Sequence, residues 1–413
     1  MALIVQKYGG TSVGSLDRIR SVAERVARAR AGGDQIVVVV SAMAGETNRL
    51  FKLAEQLSEA PHPRETDVLV ATGEQVSAAL LAIRLQGLGY PTVSFLAYQL
   101  KIMTDSRHGQ ARIKSVECSR LHRALGEGNI VVVAGYQGIN DQGDITTLGR
   151  GASDLTAVAL AAVLKAAACE IYTDVDGVYT ADPNICPKAR RLDRISYDEM
   201  LEMAGLGAKV LQLRSVELAR RYNVPLVVRS SFRDDSEGTW VGQEDETMED
   251  VLVSGVTLDN NQSKITISGV EDRPGLAAKI FGPIADTGIV IDMIIQNASA
   301  DGRADMTFTV ARADLFRALE MIRRVSSEIG AAGVRHEDQV AKVSIVGVGM
   351  RTHSGVAARM FQVLAAEGIN IEMIATSEIK VSVVVNAKYG ELAMRALHDA
   401  FLGAVGASPA HSV

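Results

Sequence analysis

Ile265, Ile267, Gly269 and Val270 recur about 80 residues later as Val343, Ile345, Gly347 and Val348. After a two-residue insertion, Gly275, Ala277, Ala278, Lys279, Ile280 and Phe281 return as Gly355, Ala357, Ala358, Arg359, Met360 and Phe361. Gly288, Asp292, Met293 and Ile294 then return as Gly368, Glu372, Met373 and Ile374. Each copy reads strand, turn, helix, strand, followed by a further strand (306–310 or 381–385) and a helix. A period near 80 that occurs twice is a duplicated small domain, not a solenoid. The last third of the chain is thereby confined to two copies of one α/β unit, 263–340 and 341–413.

Residues 1–233 carry a different pattern. Short apolar runs at 36–40, 92–96, 130–134, 170–173 and 226–228 read as buried strands. Amphipathic stretches lie between them, such as Ile19, Val22, Ala23, Val26 and Ala27 at helical spacing. Ser196 followed three residues later by Glu199 has the form of a capping box that opens a helix. Such alternation predicts an α/β domain with a largely parallel sheet covered on both faces. Ligands of such sheets bind beyond the carboxyl ends of the strands. The acidic, apolar-poor stretch 234–250, with its continuation to 262, reads as a linker or exposed crossover.

Composition narrows the function. A net charge of −6 and 4% aromatic residues speak against nucleic-acid binding, which needs a basic footprint and stacking rings. No uninterrupted apolar run approaches the ~18 residues of a membrane span, and no basic segment precedes an apolar one at the N-terminus. Cys118, Cys169 and Cys186 are scattered, without CxxC spacing, and the seven His show no metal-ligand spacing. We expect reduced, buried cysteines, no protein-held metal, and a cytoplasmic location.

Five segments carry the chemistry. Leu3, Ile4 and Val5 run into Lys7, Tyr8, Gly9, Gly10, Thr11, Ser12, Val13 and Gly14. A strand, a Gly-rich turn and a helix bring backbone N–H groups to one point, suited to phosphate oxygens, and Lys7 adds a full positive charge. The order differs from a Walker A loop, in which the Lys follows the glycines, and from the GxGxxG dinucleotide pattern. Ser41 to Asn48 follows the second strand; by itself it is a polar loop. Glu74 interrupts an apolar helical stretch, so it needs a partner: a structural Arg, or the ammonium of an amino acid. Gly149, Arg150, Gly151, Ala152, Ser153 and Asp154 form a second Gly-rich turn entering a helix. Ser153 suits its N-cap, and the planar fork of Arg150 suits a carboxylate. Thr173, Asp174, Tyr179 and Asp182 follow a strand, and Lys209 with Val210 opens another helix; together they offer hydroxyls, carboxylates and a second cation to a nucleotide.

In that order the five segments resemble the aspartokinases of the amino-acid kinase family, and the duplicated tail resembles the tandem ACT domains that follow in monofunctional members. The resemblance covers nearly the whole chain. It implies a three-layer αβα kinase domain followed by two βαββαβ, ferredoxin-like ACT units. It also implies ATP as phosphoryl donor, with Mg²⁺ carried on the nucleotide. Carried over residue by residue, Lys7, Gly9, Gly10, Thr173, Asp174, Tyr179, Asp182, Lys209 and Val210 would contact ATP. Ser41, Thr47, Glu74, Arg150, Gly151 and Ser153 would hold L-aspartate, and Asp154 would position the catalytic Lys7 and Lys209. One departure is Ala152, where the family commonly has Gly; a methyl group fits there if φ is negative.

The expected reaction converts L-aspartate to 4-phospho-L-aspartate, at the head of lysine, threonine and methionine synthesis. Lysine, threonine or both would inhibit through the ACT units. Candidate effector contacts are Asp272, Pro274, Gly275, Ala277, Asp292 and Gln296 in the first copy. In the second they are Asn370, Ile371, Thr376, Ser377 and Glu378. A homodimer joined through the ACT region is expected, with Val343, Ile345, Val381, Val383 and Val385 as the covering surface. The rivals are kinases of the same fold acting on glutamate, acetylglutamate, carbamate or UMP, and a non-catalytic amino-acid sensor with a vestigial kinase domain. Their families do not combine this octet with a tandem ACT tail, and intact Lys7, Arg150, Asp154 and Lys209 argue against a vestigial domain.

Overall fold

The computed structural model describes residues 2–206, 210–234, 236–244, 252–298, 302–351, 353 and 355–403. They divide into two compact units. The first comprises residues 2–178, 191–204 and 210–244; the second comprises 179–190, 205–206 and the described residues from 252 onward.

An eight-stranded sheet forms the middle of the first unit. Its spatial order is Arg194–Ser196, Thr239–Gly242, Leu226–Ser230, Ala168–Thr173, Leu3–Tyr8, Gln35–Val40, Ile130–Ala134 and Thr92–Phe95. Every neighbouring pair is parallel except Leu226–Ser230 with Thr239–Gly242. The unbroken run Ile36, Val37, Val38, Val39, Val40 suits a strand buried on both faces. Ile36, Val38 and Val40 pack with Val22 and Val26 of the Leu16–Ala31 helix and with Ala78, Leu81 and Leu85 of the Thr72–Gly87 helix. The Ser153–Leu164 helix, almost wholly apolar, packs along the Leu3–Tyr8, Gln35–Val40 and Ala168–Thr173 strands. Ser196 and Glu199 make the capping box reciprocally: Glu199 N–H donates to Ser196 Oγ at 3.2 Å and Ser196 N–H to Glu199 Oε2 at 3.1 Å.

Two sequence expectations need correction here. The 234–262 stretch is not a free linker. Asp234 pairs with Arg25 and Arg28, Thr239–Gly242 is a strand of the main sheet, and Gly255 begins a long strand of the second unit. Local composition concealed this because the contacts that fix 234–242 come from distant residues. The helices Pro63–Val70 and Thr72–Gly87 together make a 25-residue segment apolar and long enough to cross a membrane. Charges scattered through it hide that length in the sequence. Val70, Ala78, Leu81 and Leu85 are instead buried within the unit.

The second unit carries a six-stranded antiparallel sheet in the order Ile291–Ala298, Arg303–Ala311, Gly255–Glu271, Gly333–Val346, Lys380–Asn386, Ile371–Ser377. The two central strands are long, and each serves both repeats. Residues 264–268 pair with 333–337 in the first repeat, whereas 255–259 pair with 342–346 and complete the second. The last strand of the second repeat therefore comes from before the first, which shifts the boundary expected at 263.

The repeats are braced reciprocally. Lys264 of the first pairs with Glu372 of the second at 2.6 Å, and buried Lys342 of the second pairs with Asp292 of the first. Val343, Ile345, Val381, Val383 and Val385, expected to cover a dimer partner, are buried beneath this chain's own Val356–Ala366 and Gly390–Leu402 helices. The apolar side chains left exposed at the sheet edges are Val290, Ile294 and Ile374.

Candidate active site

The central strands end together. In register, Tyr8 lies beside Val40 and Tyr172, and Val40 lies beside Ala134. Gly9, Ser41, Gly135 and Thr173 therefore leave the sheet at one edge. Backbone bonds tie the departing chains: Gly9 N–H to the Tyr172 carbonyl at 3.2 Å, Ser41 N–H to that of Tyr8 at 3.1 Å, and Gly135 N–H to that of Val40 at 3.0 Å.

Gly10 is needed for close approach, since a β-carbon there would stand 3.0 Å from the Ala42 carbonyl oxygen. The turn is less open than its sequence suggests. Gly9 donates as above, and Ser12 and Val13 donate to the Gly9 carbonyl. This leaves the N–H groups of Gly10, Thr11 and Gly14 without a hydrogen-bond partner among the described residues. Ser15 caps the Leu16–Ala31 helix that follows.

Lys7 Nζ lies 2.6 Å from Asp154 Oδ1, with side chains only 11% and 8% exposed. Asp154 stands in the first turn of the Ser153–Leu164 helix, where a carboxylate also favours the helix dipole. The pair holds the ammonium at the mouth of the turn. Ala152 has φ −79°, so its methyl group is accommodated. It also takes the cap position, and Ser153 is the first helical residue with no capping bond, contrary to the expected N-cap. Buried Ser153 instead packs where a Gly135 side chain would lie, its Cβ and Oγ each 2.8 Å from that position.

Glu74 is 3% exposed in the first turn of its helix. Oε1 accepts the Ala42 N–H at 3.0 Å, and buried Oε2 has no partner among the described residues. Burial pushes the carboxyl up to about 7, opposed by the Ala42 N–H bond. The partner foreseen from sequence is thus half supplied, by backbone rather than by an Arg.

Arg150 is exposed between Gly149 (φ +95°) and Gly151 (φ +75°), its guanidinium 5.9 Å from the Phe51 ring centroid. Both glycines adopt left-handed backbone that other residues rarely take. Asp67, buried, accepts from Gly109 N–H, Thr147 N–H and Thr147 Oγ1, and contacts His108 Nδ1 at 2.8 Å. These bonds fasten the strand that leads into Leu148, Gly149 and Arg150. Thr47 and Ser41 are half-buried, Thr47 as the second residue of the Glu46–Leu57 helix and Ser41 directly after the Gln35–Val40 strand.

Sequence reasoning missed Gly135 and Tyr136. Tyr136 is buried at φ +69°, a strained backbone for a bulky residue, and its hydroxyl is raised by burial and by the charge of Glu74. The Gly-Tyr pair directly after the 130–134 strand was the available signal.

Thr173 Oγ1 donates to Asp174 Oδ1 at 3.2 Å at the sheet edge. Val210 is half-exposed, and Lys209 lies outside the described residues. Tyr179 and Asp182 belong to the second unit, and Asp182 Oδ1 accepts from the Asn184 backbone and side-chain amides. Among the described residues no three His, Cys, Asp or Glu side chains gather around one point.

The expected effector residues split. Asp272 Oδ1 accepts from Gln296 Nε2 at 3.0 Å, beside Pro274, Ala277 and Gly275, whose φ of +88° opens the Leu276–Asp286 helix without a side-chain cap. Asp292 precedes Gln296 by four residues, about 13 Å along the Ile291–Ala298 strand, and is committed to Lys342. Asn370 and Ile371 are likewise separated from Thr376, Ser377 and Glu378 by the length of the Ile371–Ser377 strand, about 20 Å. One ligand cannot touch both ends within one chain.

Fold and site define a phosphoryl-transfer domain joined to a duplicated α/β module. Residues 2–230 match the amino acid kinase family, and residues 265–327 and 343–401 each match an ACT domain. The chain is 57% identical over 401 residues to an aspartate kinase of Stutzerimonas stutzeri, covering 97% of each. It is 56% identical over 403 residues to an aspartokinase of Pseudomonas aeruginosa, covering 97% of this chain and 98% of that one. It resembles E. coli aspartokinase III in complex with aspartate and ADP with a TM-score of 0.82 and 28% identity, covering 96% of this chain and 99% of that chain. The same enzyme in complex with lysine and aspartate gives a TM-score of 0.77. The chain belongs to the aspartokinases, enzymes of the amino acid kinase family with tandem ACT domains.

Proposed function

We propose that this enzyme transfers the γ-phosphoryl group of ATP to the side-chain carboxylate of L-aspartate, giving 4-phospho-L-aspartate and ADP. The observation that carries the substrate assignment is the unpartnered, buried Oε2 of Glu74 beside the Lys7–Gly14 turn. A buried anion with one oxygen unsatisfied is costly, and an amino-acid ammonium would satisfy it. The complexes of E. coli aspartokinase III with aspartate and ADP support the same reading.

A carboxylate is already a competent nucleophile at neutral pH, so the chain needs no general base. One aspartate side-chain oxygen forms the new P–O bond as the β–γ bridging bond breaks, and its electron pair leaves on ADP. The protein's part is positioning and charge neutralisation. Lys7, held by Asp154, faces the charge that redistributes on the transferring group. Gly9, Gly10, Thr173 and Asp174 line the nucleotide side, with Lys209 and Val210 assigned there by family resemblance. Arg150 clamps the substrate α-carboxylate, with Ser41, Thr47, Gly151 and Ser153 around it. Magnesium on the nucleotide would screen its phosphate charge.

The enzyme stands at the head of lysine, threonine and methionine synthesis in the cytoplasm. Lysine, threonine or both inhibit it at the ACT pair, where Asp272 and Gln296 meet at an uncapped helix start. The edge strands bearing Ile294 and Ile374 support assembly into at least a dimer. An ADP-release assay with aspartate against glutamate tests the reaction. Absence of turnover, or equal turnover with glutamate, would overturn the assignment.

A further inference from the structure

Arg214 stands in the first turn of the Leu213–Tyr222 helix. A cation there opposes the positive end of the helix dipole. It is half-buried, and burial first and Arg112 second lower its affinity for a proton, against the weaker pull of Asp105 and Glu217. No carboxylate lies within ion-pair distance of it among the described residues. What it has are two neutral oxygens: Nη1 donates to the Leu148 carbonyl at 2.6 Å and Nη2 to the Ala111 carbonyl at 2.9 Å.

Those carbonyls belong to two adjoining pieces of chain. Ala111 N–H in turn donates to the Thr147 carbonyl at 2.9 Å, so the guanidinium closes a knot directly before Gly149 and Arg150. Beyond the knot Arg150 stands between two glycines in left-handed backbone, so its place depends on how the loop's ends are held. On the far side of Arg150, Gln212 packs 3.5 Å from where a Gly151 side chain would begin. The start of one helix, residues 212 and 214, thus grips the Arg150 loop from both ends. A planar fork with two separated, rigidly spaced donors suits the two carbonyls better than a rotating ammonium.

We infer that Arg214 is a positioning residue for aspartate: it acts through Arg150, by fixing the carbonyl from which the Arg150 loop departs. This rests on Arg150 being the clamp for the substrate α-carboxylate.

The test is a double-mutant cycle between Arg214→Ala and Arg150→Ala, with Arg214→Lys as a second variant that retains the charge but not the fork. Steady-state constants are read for aspartate and ATP, with a melting curve for each protein. Arg214→Ala should raise the KM for aspartate roughly 10- to 100-fold, the scale on which displaced positioning groups act, and leave the KM for ATP within about twofold. Arg214→Lys should lie between wild type and Arg214→Ala. In the Arg150→Ala background, Arg214→Ala should change the aspartate KM by less than about twofold, because its target is gone. An equal factor in both backgrounds, or a lower melting temperature with aspartate KM unmoved, overturns the inference while leaving the clamp assignment intact. If Arg214→Ala does not fold, the same cycle with Arg214→Lys decides by the same criterion. An unchanged aspartate KM in Arg150→Ala alone overturns the clamp assignment, and the inference with it.

Discussion

Glu74→Gln should make the ligand-free enzyme more stable and a poorer aspartate binder, and both effects can be sized. The carboxyl sits at about 7, against an ordinary 4.5, because it is buried with one oxygen unpaired. That rise corresponds to about 3 kcal/mol. A raised carboxyl pKa means that the folded chain holds the proton more tightly than the unfolded one. Its contribution is therefore unchanged below pH 4.5, erodes stability as pH climbs from 4.5 to about 7, and is fully unfavourable above that. Gln keeps an oxygen for the Ala42 N–H and carries no charge at any pH. Urea unfolding at pH 8 should find Glu74→Gln more stable by up to about 3 kcal/mol, with the gain vanishing near pH 4.5. In activity assays the same variant should raise the aspartate KM roughly 10- to 100-fold, the loss of a charge-assisted bond to the substrate ammonium. For the wild type, the aspartate KM should rise as pH falls below about 7, where Glu74 takes up its proton. A variant no more stable than wild type at pH 8, or one with an unchanged aspartate KM, refutes the reasoning.

Three further outcomes are expected. Lys7→Met should lower kcat by roughly 10²–10³ with a smaller effect on aspartate KM, and single-turnover kinetics within about threefold of wild type would reassign Lys7. Light scattering at micromolar concentration should give at least twice the 44.0 kDa chain mass, and placing Lys at both Ile294 and Ile374 should reduce it to one. Asp272→Ala should blunt inhibition in a lysine and threonine titration at saturating aspartate and ATP, with the uninhibited kcat within about twofold. Coupling of this kind is typically worth ~1–3 kcal/mol, and a wild-type enzyme that neither effector inhibits rules out the ACT site.

What could be read from the sequence followed from how local each signal is. The five-residue run 36–40 and the Ser196–Glu199 box state their structure within a few residues, and both form as expected. Lys7, Glu74 and Asp154 announced themselves as charges in apolar or Gly-rich company, although only the fold could pair Lys7 with Asp154 or give Glu74 the Ala42 N–H. Arg214 was illegible because its partners are carbonyls 66 and 103 residues away, and any residue supplies a carbonyl. Asp292 looked like a free anion for the same reason: Lys342 lies 50 residues on, in the other repeat. The 234–242 stretch misled because polar composition says nothing of Arg25 reaching across to Asp234.

The crossed lysine–carboxylate pairs of the second unit bear on how such a duplication ages. When a gene segment doubles, each copy at first holds everything it needs, and either can be lost again. Here Lys342 depends on Asp292 of the other copy and Lys264 divides itself between Glu337 of its own copy and Glu372 of the other, while 255–259, ahead of the first copy, supplies a strand to the second. Deleting the first copy now strands buried Lys342 in the survivor, whereas Lys264 would keep Glu337 of its own copy if the second were lost. A buried lysine left without its carboxylate is costly, though less than in a fully buried pair because Asp292 is partly exposed. An exchange of partners thus works as a one-way ratchet: the two copies can diverge in what they bind, but the second no longer stands without the first.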